Sequence, residues 1–215
     1  MRPKDAATVI LVRDLTHVLV GARSAGHAFM PNRYVFPGGG VDATDWRVPA
    51  ANELRPETAV RLQHDCTQPR ARALGIAAIR ETFEETGLRL ATASRAADRL
   101  IDDFWQPFRV AGVAPALDIL HYFARAITPP GRPRRFDARF FLVDAQDAEG
   151  ELVGNGELED LRWATFRELE ELPLPDITKK IIGAAEKCVA EGIEPVLAST
   201  PTFWRKGAKA EPEFL

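Results

Sequence analysis

The sequence has few of the features that mark specialised classes of protein. It contains two cysteines in 215 residues, Cys66 and Cys188, whose spacing fits neither a metal-ligand motif nor a disulfide framework. Its apolar runs are too short to span a membrane, and the run at 6–12 is followed at once by charged residues, as in a buried strand rather than a secretion signal. We therefore expect two free thiols, a cytoplasmic location and no membrane partner.

The numbers of acidic and basic residues are nearly equal. The formal net charge is -3, with 27% of the residues charged and 46% hydrophobic. This composition is ordinary for a globular protein and gives no overall attraction for nucleic acid, so an anionic substrate has to be met by a local basic group or a metal. We expect a single domain over residues 1–205 and a loose tail over 206–215, with the oligomeric state open and a homodimer as one candidate.

Runs of β-forming residues and turn signals predict the order of the elements. Two such runs over 8–23 predict a hairpin, 116–130 predicts a helix or a strand, and 134–145 and 161–166 predict strands. An amphipathic helix is predicted from Asp176 to about Gly192. Strands and helices mixed in this order favour an α/β or α+β sandwich.

The segment 46–72 is polar, contains three prolines, and is interpreted as an insertion. Its part 56–66 has apolar residues at helical spacing, which predicts a short helix packed outside the sandwich. A long segment of this kind beside a functional site often supplies specificity, and we expect it to form a wall of the substrate pocket.

The stretch RETFEETG, residues 80–87, concentrates carboxylates. At about 100° per residue, Glu81, Glu84 and Glu85 share one face of a helix whose opposite face is apolar, and Gly87 is well placed to end that helix. Like charges three and four residues apart repel each other, so the cluster costs stability unless counterions or a metal bind it. We expect Glu84 and Glu85 to face solvent, and substitutions there to change stability little.

Carboxylates on one face suit the hydrolysis of a diphosphate, because Mg²⁺ or Mn²⁺ held there neutralises phosphate charge and acidifies water. Glu84 and Glu85 are the first candidates for metal ligands, with Glu81 as a third ligand or as the base that orients water. Arg80 is expected to hold a carboxylate by a charge-assisted hydrogen bond. Glu157, on a predicted loop, is a candidate extra base.

The combination of FPGGG at 36–40 and RETFEETGL at 80–88 resembles the Nudix box of the Nudix hydrolases. The second half of the box matches except that Thr82 stands at a position that is usually apolar. In the first half, Asp45 stands where the family has glutamate, with 34 residues instead of seven before Arg80, so Asp42 or Glu53 are alternatives for that role. The resemblance implies a Nudix-type α/β/α sandwich with a mixed sheet and an extra inserted helical segment, and a backbone carbonyl of Gly39 in the metal shell.

A second motif is similar to that of the coenzyme A diphosphatase subfamily. Arg23, Ser24 and the block 36–39 keep its spacing, while Ala28 and Asn32 stand in place of the subfamily's second arginine and glycine. The resemblance implies hydrolysis of coenzyme A or acyl-CoA to 3',5'-ADP and (acyl-)4'-phosphopantetheine. The residues expected to bind substrate are Arg23, Ser24, Gly38, Gly39, Arg134 and Arg135.

Three alternatives stay open at this point. The first is that the substrate is ADP-ribose, another nucleoside diphosphate derivative or a dinucleoside polyphosphate. The second is that the chain is a Nudix-fold sensor that binds a nucleotide without turnover. The third concerns Arg134 and Arg135, which either bind the 3'-phosphate of coenzyme A or keep a sheet edge soluble.

Overall fold

A computed structural model describes residues 2–26 and 31–190, and the backbone of two short strands at 202–205 and 213–214. The first strands along the chain are β1 (Lys4–Arg13), β2 (His17–Arg23), β3 (Tyr34–Val35), β4 (Gly38–Gly40), β5 (Arg89–Ala93) and β6 (Val113–Pro115). The later strands are β7 (His121–Ile127), β8 (Phe136–Asp144), β9 (Ala148–Glu149), β10 (Leu158–Thr165), β11 (Thr202–Arg205) and β12 (Glu213–Phe214). The helices are α1 (Pro56–Gln63), α2 (Gln68–Thr86), α3 (Gln106–Val110), α4 (Phe166–Glu171) and α5 (Asp176–Ala190).

The main sheet is mixed. Its strands run in the order β10-β2-β1-β8-β7-β11-β12, with β3 added beside β2 and β4 beside β1. The pairs β1–β8 and β11–β7 are parallel, and the others in this sheet are antiparallel. Strand β1 is an interior strand, and β4 and β8 lie on opposite sides of its first half.

Helices cover both faces of this sheet. Alternate residues of β1 enter two different cores, with Val9 and Leu11 on the α2 side and Ile10 and Val12 on the α5 side. A strand buried on both faces reads as a continuous apolar run, which is why 6–12 was interpreted as a buried strand. The predicted α/β/α sandwich with a mixed sheet is confirmed.

Most predicted elements occur where the sequence placed them. The hairpin over 8–23 is β1–β2, turning through Asp14 and Leu15 with positive φ, and the strands predicted at 134–145 and 161–166 are β8 and β10. The ambiguous segment 116–130 contains a strand, β7. Within the predicted tail, the backbone of 213–214 pairs with β11, whereas the helix end near Gly192 lies outside the described residues. No helix among the described residues is both long and apolar enough to cross a membrane.

The inserted segment contains the predicted short helix, α1, but this helix is part of the core. Leu62 is buried in the core on the α2 side, and the Thr58 hydroxyl donates to the Leu120 carbonyl oxygen at 3.0 Å. Leu54, just before α1, approaches Gly75 in the first half of α2. The end of the insertion, 68–72, forms the first turn of α2. The insertion helix therefore packs beside the start of α2, away from the glutamates at its other end, and the pocket-wall interpretation does not fit α1.

Candidate active site

Helix α2 carries the predicted carboxylates in its last two turns. It has 19 residues, which corresponds to a length of about 28 Å. It ends as the sequence predicts: Gly87 adopts the left-handed conformation with φ of 76°, and its N–H donates to the Phe83 carbonyl oxygen at 2.8 Å. Glu81, Glu84 and Glu85 consequently lie at the end of the helix that approaches the glycine loop.

Glu85 is buried beneath that loop. Its side chain accepts a hydrogen bond from the Gly38 N–H at 2.7 Å, and only 2% of the residue is exposed. Burial raises the pKa of its carboxyl to about 8, although the hydrogen bond from Gly38 opposes the rise. The expectation that Glu85 faces solvent is therefore wrong, because β4 folds over this face of α2. Glu84 does face solvent, with a side chain that is 41% exposed.

Glu81 lies directly against Gly39. A Cβ atom added at Gly39 would come within 2.4 Å of the Glu81 carboxyl carbon, so only glycine leaves room for this carboxylate. Burial raises the pKa of Glu81, and the charge of Arg80 opposes that rise. Two carboxylates of α2 and the backbone of β4 thus meet at one point.

Arg80 ties the carboxylates to the chain that follows the glycine loop. Its Nε and Nη2 donate to both oxygens of Asp45, at 2.9 and 3.0 Å, while Nη2 also donates to the Gly40 carbonyl oxygen at 2.9 Å. Its Nη1 donates to Glu81 at 2.8 Å and lies 3.5 Å from a Glu84 oxygen. Such charge-assisted forks fix orientation as well as charge.

The structure also separates the three alternatives for the first carboxylate of the box. Asp45 is fully buried and is the one bound to Arg80. Asp42 accepts instead from the Thr44 N–H and hydroxyl, and Glu53 pairs with Arg72.

Arg23, Ser24 and Glu157 lie on the other side of Glu85. The Ser24 N–H donates to the Glu157 carbonyl oxygen at 3.2 Å, which joins the end of β2 to the loop before β10. The charge of Arg23 lowers the pKa of Glu85, and that of Glu157 raises the pKa of both Glu85 and Glu81. The structure therefore brings these three residues to the glutamate face of α2.

Arg134 and Arg135 lie away from the glutamate face of α2. They lie in the β7–β8 connection, where the Arg135 Nε donates to the Thr128 carbonyl oxygen at 3.0 Å and its carbonyl accepts from the Lys4 N–H at 2.9 Å. Strand β1 separates this connection from the glycine loop in the sheet.

The two substitutions in the coenzyme A motif differ in their consequences. Asn32 has a φ of 57°, so it takes up the left-handed conformation for which glycine is usual. Its N–H donates to the Arg23 carbonyl oxygen at 3.0 Å, which closes the loop after β2. Ala28, which replaces the motif's second arginine, lies outside the described residues.

The donor set fits a divalent cation, although no three His, Cys, Asp or Glu side chains among the described residues are already gathered around one point. Glu81 and Glu85 are oxygen ligands of the kind that Mg²⁺ and Mn²⁺ prefer, and burial disfavours their charged forms. A cation bound beside Gly39 would offset the free-energy cost of burying these charged carboxylates. Glu84 is exposed, so it could join by side-chain rotation alone.

Sequence reasoning missed some polar residues around this site. Thr82, at a position where the box is usually apolar, is buried and satisfied because its hydroxyl donates to the Ala78 carbonyl oxygen at 2.8 Å. A cluster of buried charges around Arg139 was not foreseen at all. The available signal was an arginine inside the apolar run of 136–143, since a buried arginine requires acidic partners.

Comparison with known proteins gives the family. The model of the NUDIX domain matches residues 2–184. A Caenorhabditis elegans protein described as "Putative nudix hydrolase 7" is 30% identical over 179 residues, which cover 77% of this chain and 52% of that protein. The chain thus spans about half the length of this curated relative.

Comparison with solved structures agrees with this family assignment. A NUDIX hydrolase from Alicyclobacillus acidocaldarius is 26% identical with a TM-score of 0.68, over 94% of this chain and 98% of that one. A MutT NUDIX hydrolase from Burkholderia pseudomallei, 18% identical with a TM-score of 0.50 over 86% and 98% of the two chains, shares the fold. The chain belongs to the NUDIX family, as the motifs at 36–40 and 80–88 predict.

Proposed function

We propose that the protein hydrolyses the diphosphate of a nucleoside diphosphate-linked substrate, most specifically coenzyme A or acyl-CoA, with Mg²⁺ or Mn²⁺. The observation that carries this proposal is the contact between the glycine loop and the acidic face of α2. Glu81 lies against Gly39 and Glu85 accepts from the Gly38 N–H, so backbone and carboxylate oxygens converge where a phosphate-bound cation would be needed. NUDIX hydrolases generally use divalent metal ions.

The proposed metal ligands are the Gly39 carbonyl, Glu81, Glu84 and Glu85. The bound ion supplies neutralisation of phosphate charge and a more acidic water. In the reaction, the oxygen of water bonds to one phosphorus, the bridging P–O bond breaks, and a carboxylate accepts the proton of water. Glu81, oriented by Arg80, is the first candidate for that base, and Glu157 is the second.

Coenzyme A is supported by the segment that joins β2 to the glycine loop. Arg23 acts electrostatically on Glu85, and this supports a role for its positive charge in binding a diphosphate at the proposed metal site. Ser24 follows it at the Glu157 loop. Asn32 preserves the backbone conformation expected of the motif's glycine. The products are 3',5'-ADP and (acyl-)4'-phosphopantetheine. Arg134 and Arg135 are proposed to bind the 3'-phosphate, a role that requires the substrate to extend across β1.

Two other functions remain as alternatives. The first is hydrolysis of ADP-ribose or another nucleoside diphosphate derivative, which uses the same carboxylates and does not need the 3'-phosphate site. The second is a nucleotide sensor without turnover. The presence of all three glutamates in the second half of the box, two of them in contact with the glycine loop, favours catalysis over sensing.

Product analysis over a panel of coenzyme A, 3'-dephospho-coenzyme A and ADP-ribose, with Mg²⁺ and with Mn²⁺, tests the proposal. We expect the highest kcat/KM for coenzyme A, because a site that binds the 3'-phosphate leaves a basic group unpaired when that phosphate is absent. The same reaction in ¹⁸O-labelled water identifies the phosphorus attacked. Preference for ADP-ribose would replace the substrate but keep the hydrolase, whereas binding of nucleotides without any product would favour the sensor.

The proposed setting is the cytoplasm, with a small-molecule nucleotide as partner. Neither Cys66 nor Cys188 is part of a disulfide, which suits a reducing compartment.

A further inference from the structure

A group of buried and partly buried charges lies at the opposite end of α2 from the glutamates. We call it the buried ion cluster, and its members are Asp5, Asp65, Arg70, Arg125, Asp137 and Arg139. Arg139 is at its centre: its side chain is fully buried and lies 3.0 Å from Asp5, 3.0 Å from Asp65 and 3.1 Å from Asp137.

Arg70 and Arg125 complete the cluster on either side of Arg139. Arg70 is bound by both oxygens of Asp5. Arg125 donates to both oxygens of Asp137, at 2.7 and 2.8 Å, and also pairs with Asp65. Because these pairs are bidentate, the cluster fixes geometry as well as charge.

The cluster joins the elements that build the active site. Asp5 is on β1, and the next residues of β1, Ala6 to Thr8, pair with the glycine loop of β4. The Asp5 carbonyl oxygen also accepts from the Val41 N–H at 3.0 Å, directly after that loop. Arg70 is in the first turn of α2, eleven residues before Glu81, which is about 16 Å along the same helix. One strand therefore holds both the start of α2 and the backbone that Glu81 touches.

The cluster contains equal numbers of positive and negative charges, and the insertion contributes one of each, Arg70 and Asp65. Three arginines face three aspartates, and Asp65 comes from the segment between α1 and α2. Without Asp65, two aspartates would face three arginines around a fully buried guanidinium. An uncompensated buried charge is strongly unfavourable, and the local structure has to shift to relieve it.

We propose that the buried ion cluster is a positioning device for the metal site, and that the insertion serves catalysis through Asp65 rather than by contacting substrate. A helix moves as a rigid unit, so a shift at Arg70 is transmitted to the carboxylates at the other end of α2. Residues that orient the ligands of a metal affect its affinity by about 10- to 100-fold without touching it. The inference rests on the proposed function, since it requires that the glutamates bind a divalent ion.

Titration with Mn²⁺, followed by the loss of the free-ion signal in electron paramagnetic resonance, tests the inference without turnover. We expect Asp65→Asn to raise the Kd for Mn²⁺ about 10-fold. The double variant Asp65→Asn/Arg125→Gln restores the balance of charge, with two aspartates facing two arginines, and is expected to recover most of the affinity. Glu53→Gln is the matched control, because it also removes a carboxylate of the insertion from an arginine of α2, Arg72. That ion pair is exposed, so the Kd of the Glu53→Gln variant for Mn²⁺ should stay at the wild-type value.

Arg70→Lys provides a second route if Asp65→Asn does not fold. It keeps the charge and loses the fork to Asp5 at a partly exposed position, so we expect a folded protein with a Kd raised several-fold. A lower melting temperature with unchanged Mn²⁺ affinity in these variants, or failure of the double variant to recover affinity, would show that the cluster only stabilises the fold. If the wild-type protein does not bind Mn²⁺, the proposed function itself fails and the inference with it.

Discussion

The two ends of α2 differ in how their positive and negative charges are balanced. At its start, three arginines and three aspartates form the buried ion cluster, in which each charge has a partner. At its end, five carboxylates face two arginines, and these residues are Asp45, Glu81, Glu84, Glu85 and Glu157 against Arg23 and Arg80. The balanced end is suited to stability. The unbalanced end is unfavourable in isolation and becomes favourable when a cation binds.

This difference separates residues that maintain the fold from residues that act on substrate. A buried charge paired with opposite charges holds its neighbours in one arrangement, whereas at Glu81 and Glu85 burial, with a smaller contribution from neighbouring carboxylates, raises the pKa values. Perturbations at the start of α2 should therefore appear first in stability and metal affinity, and perturbations at its end first in turnover.

The largest expected effect is from removing the insertion. Replacing 47–71 with a short Gly/Ser linker deletes the buried Leu62, the first turn of α2, and two members of the cluster, Asp65 and Arg70. Lost burial and the loss of the ion pairs that these two residues make with Arg139 and Asp5 together amount to about 5 kcal/mol or more, so the melting temperature should fall by roughly 10–20 °C. Thermal unfolding followed by circular dichroism measures this effect.

Two single substitutions on α1 check that result. Leu62→Ala should lower the melting temperature, whereas Val60→Ala, on the exposed side of the same helix, should leave it nearly unchanged. A linker variant with an unchanged melting temperature and a raised KM for coenzyme A would restore the insertion as a wall of the pocket.

The next effect is on turnover at the unbalanced end. Glu85→Gln and Glu81→Gln each remove one charge while keeping shape, and several kcal/mol of charge stabilisation corresponds to a fall of about 10³-fold in kcat. Steady-state kinetics with saturating Mg²⁺ measures this loss, and Glu170→Gln, on the surface of α4, is the control. Full activity in Glu85→Gln would show that this residue is not a metal ligand.

The sequence predicts the parts of this site that depend on local spacing. The shared face of Glu81, Glu84 and Glu85 follows from the helical period, and the end of the helix follows from Gly87. Burial of Glu85 could not be predicted in this way, because the N–H that covers it belongs to Gly38, 47 residues away.

The buried ion cluster is even harder to predict from local sequence patterns. Asp5 and Arg139 are 134 residues apart, and they meet only because β1 and β8 pair in parallel. No local pattern indicates that register. Asp65 enters from a segment that the sequence marks as an insertion, which hides its contribution to the core.

A smaller effect on kcat is expected from weakening the hydrogen bonds that orient the carboxylates at the unbalanced end of α2. Asp45→Asn weakens the fork with which Arg80 orients Glu81, and changes to residues that orient ligands lower activity by about 10- to 100-fold. Asp42→Asn is the matched control, since the Asp42 side chain binds Thr44 and only its backbone N–H, which the substitution keeps, donates to Asp45. Equal losses in both variants, measured as kcat at a temperature well below unfolding, would contradict the assignment of Asp45.

The smallest effect concerns the acid stability of the balanced end. Burial raises the pKa of Asp137, but the hydrogen bond from Arg125 and the charges of Arg139 and Arg125 outweigh it and lower the pKa below its ordinary value of 3.8. A carboxylate with a lowered pKa contributes stability that is fully present above its unfolded pKa and is lost as the pH falls through the folded value. Asp137 should therefore help to hold the fold together near pH 4 and stop doing so in stronger acid.

Asp137→Asn tests this contribution, because asparagine does not titrate. The free energy of unfolding of the variant, measured with urea between pH 5 and pH 2.5, should be lower at pH 5 and then decline less steeply than that of the wild-type protein. Asp98→Asn, at an exposed position, should leave the slope unchanged. Identical slopes in the wild type and Asp137→Asn would mean that the cluster does not retain its charges in acid, and the contrast between the two ends of α2 would then lie in geometry alone.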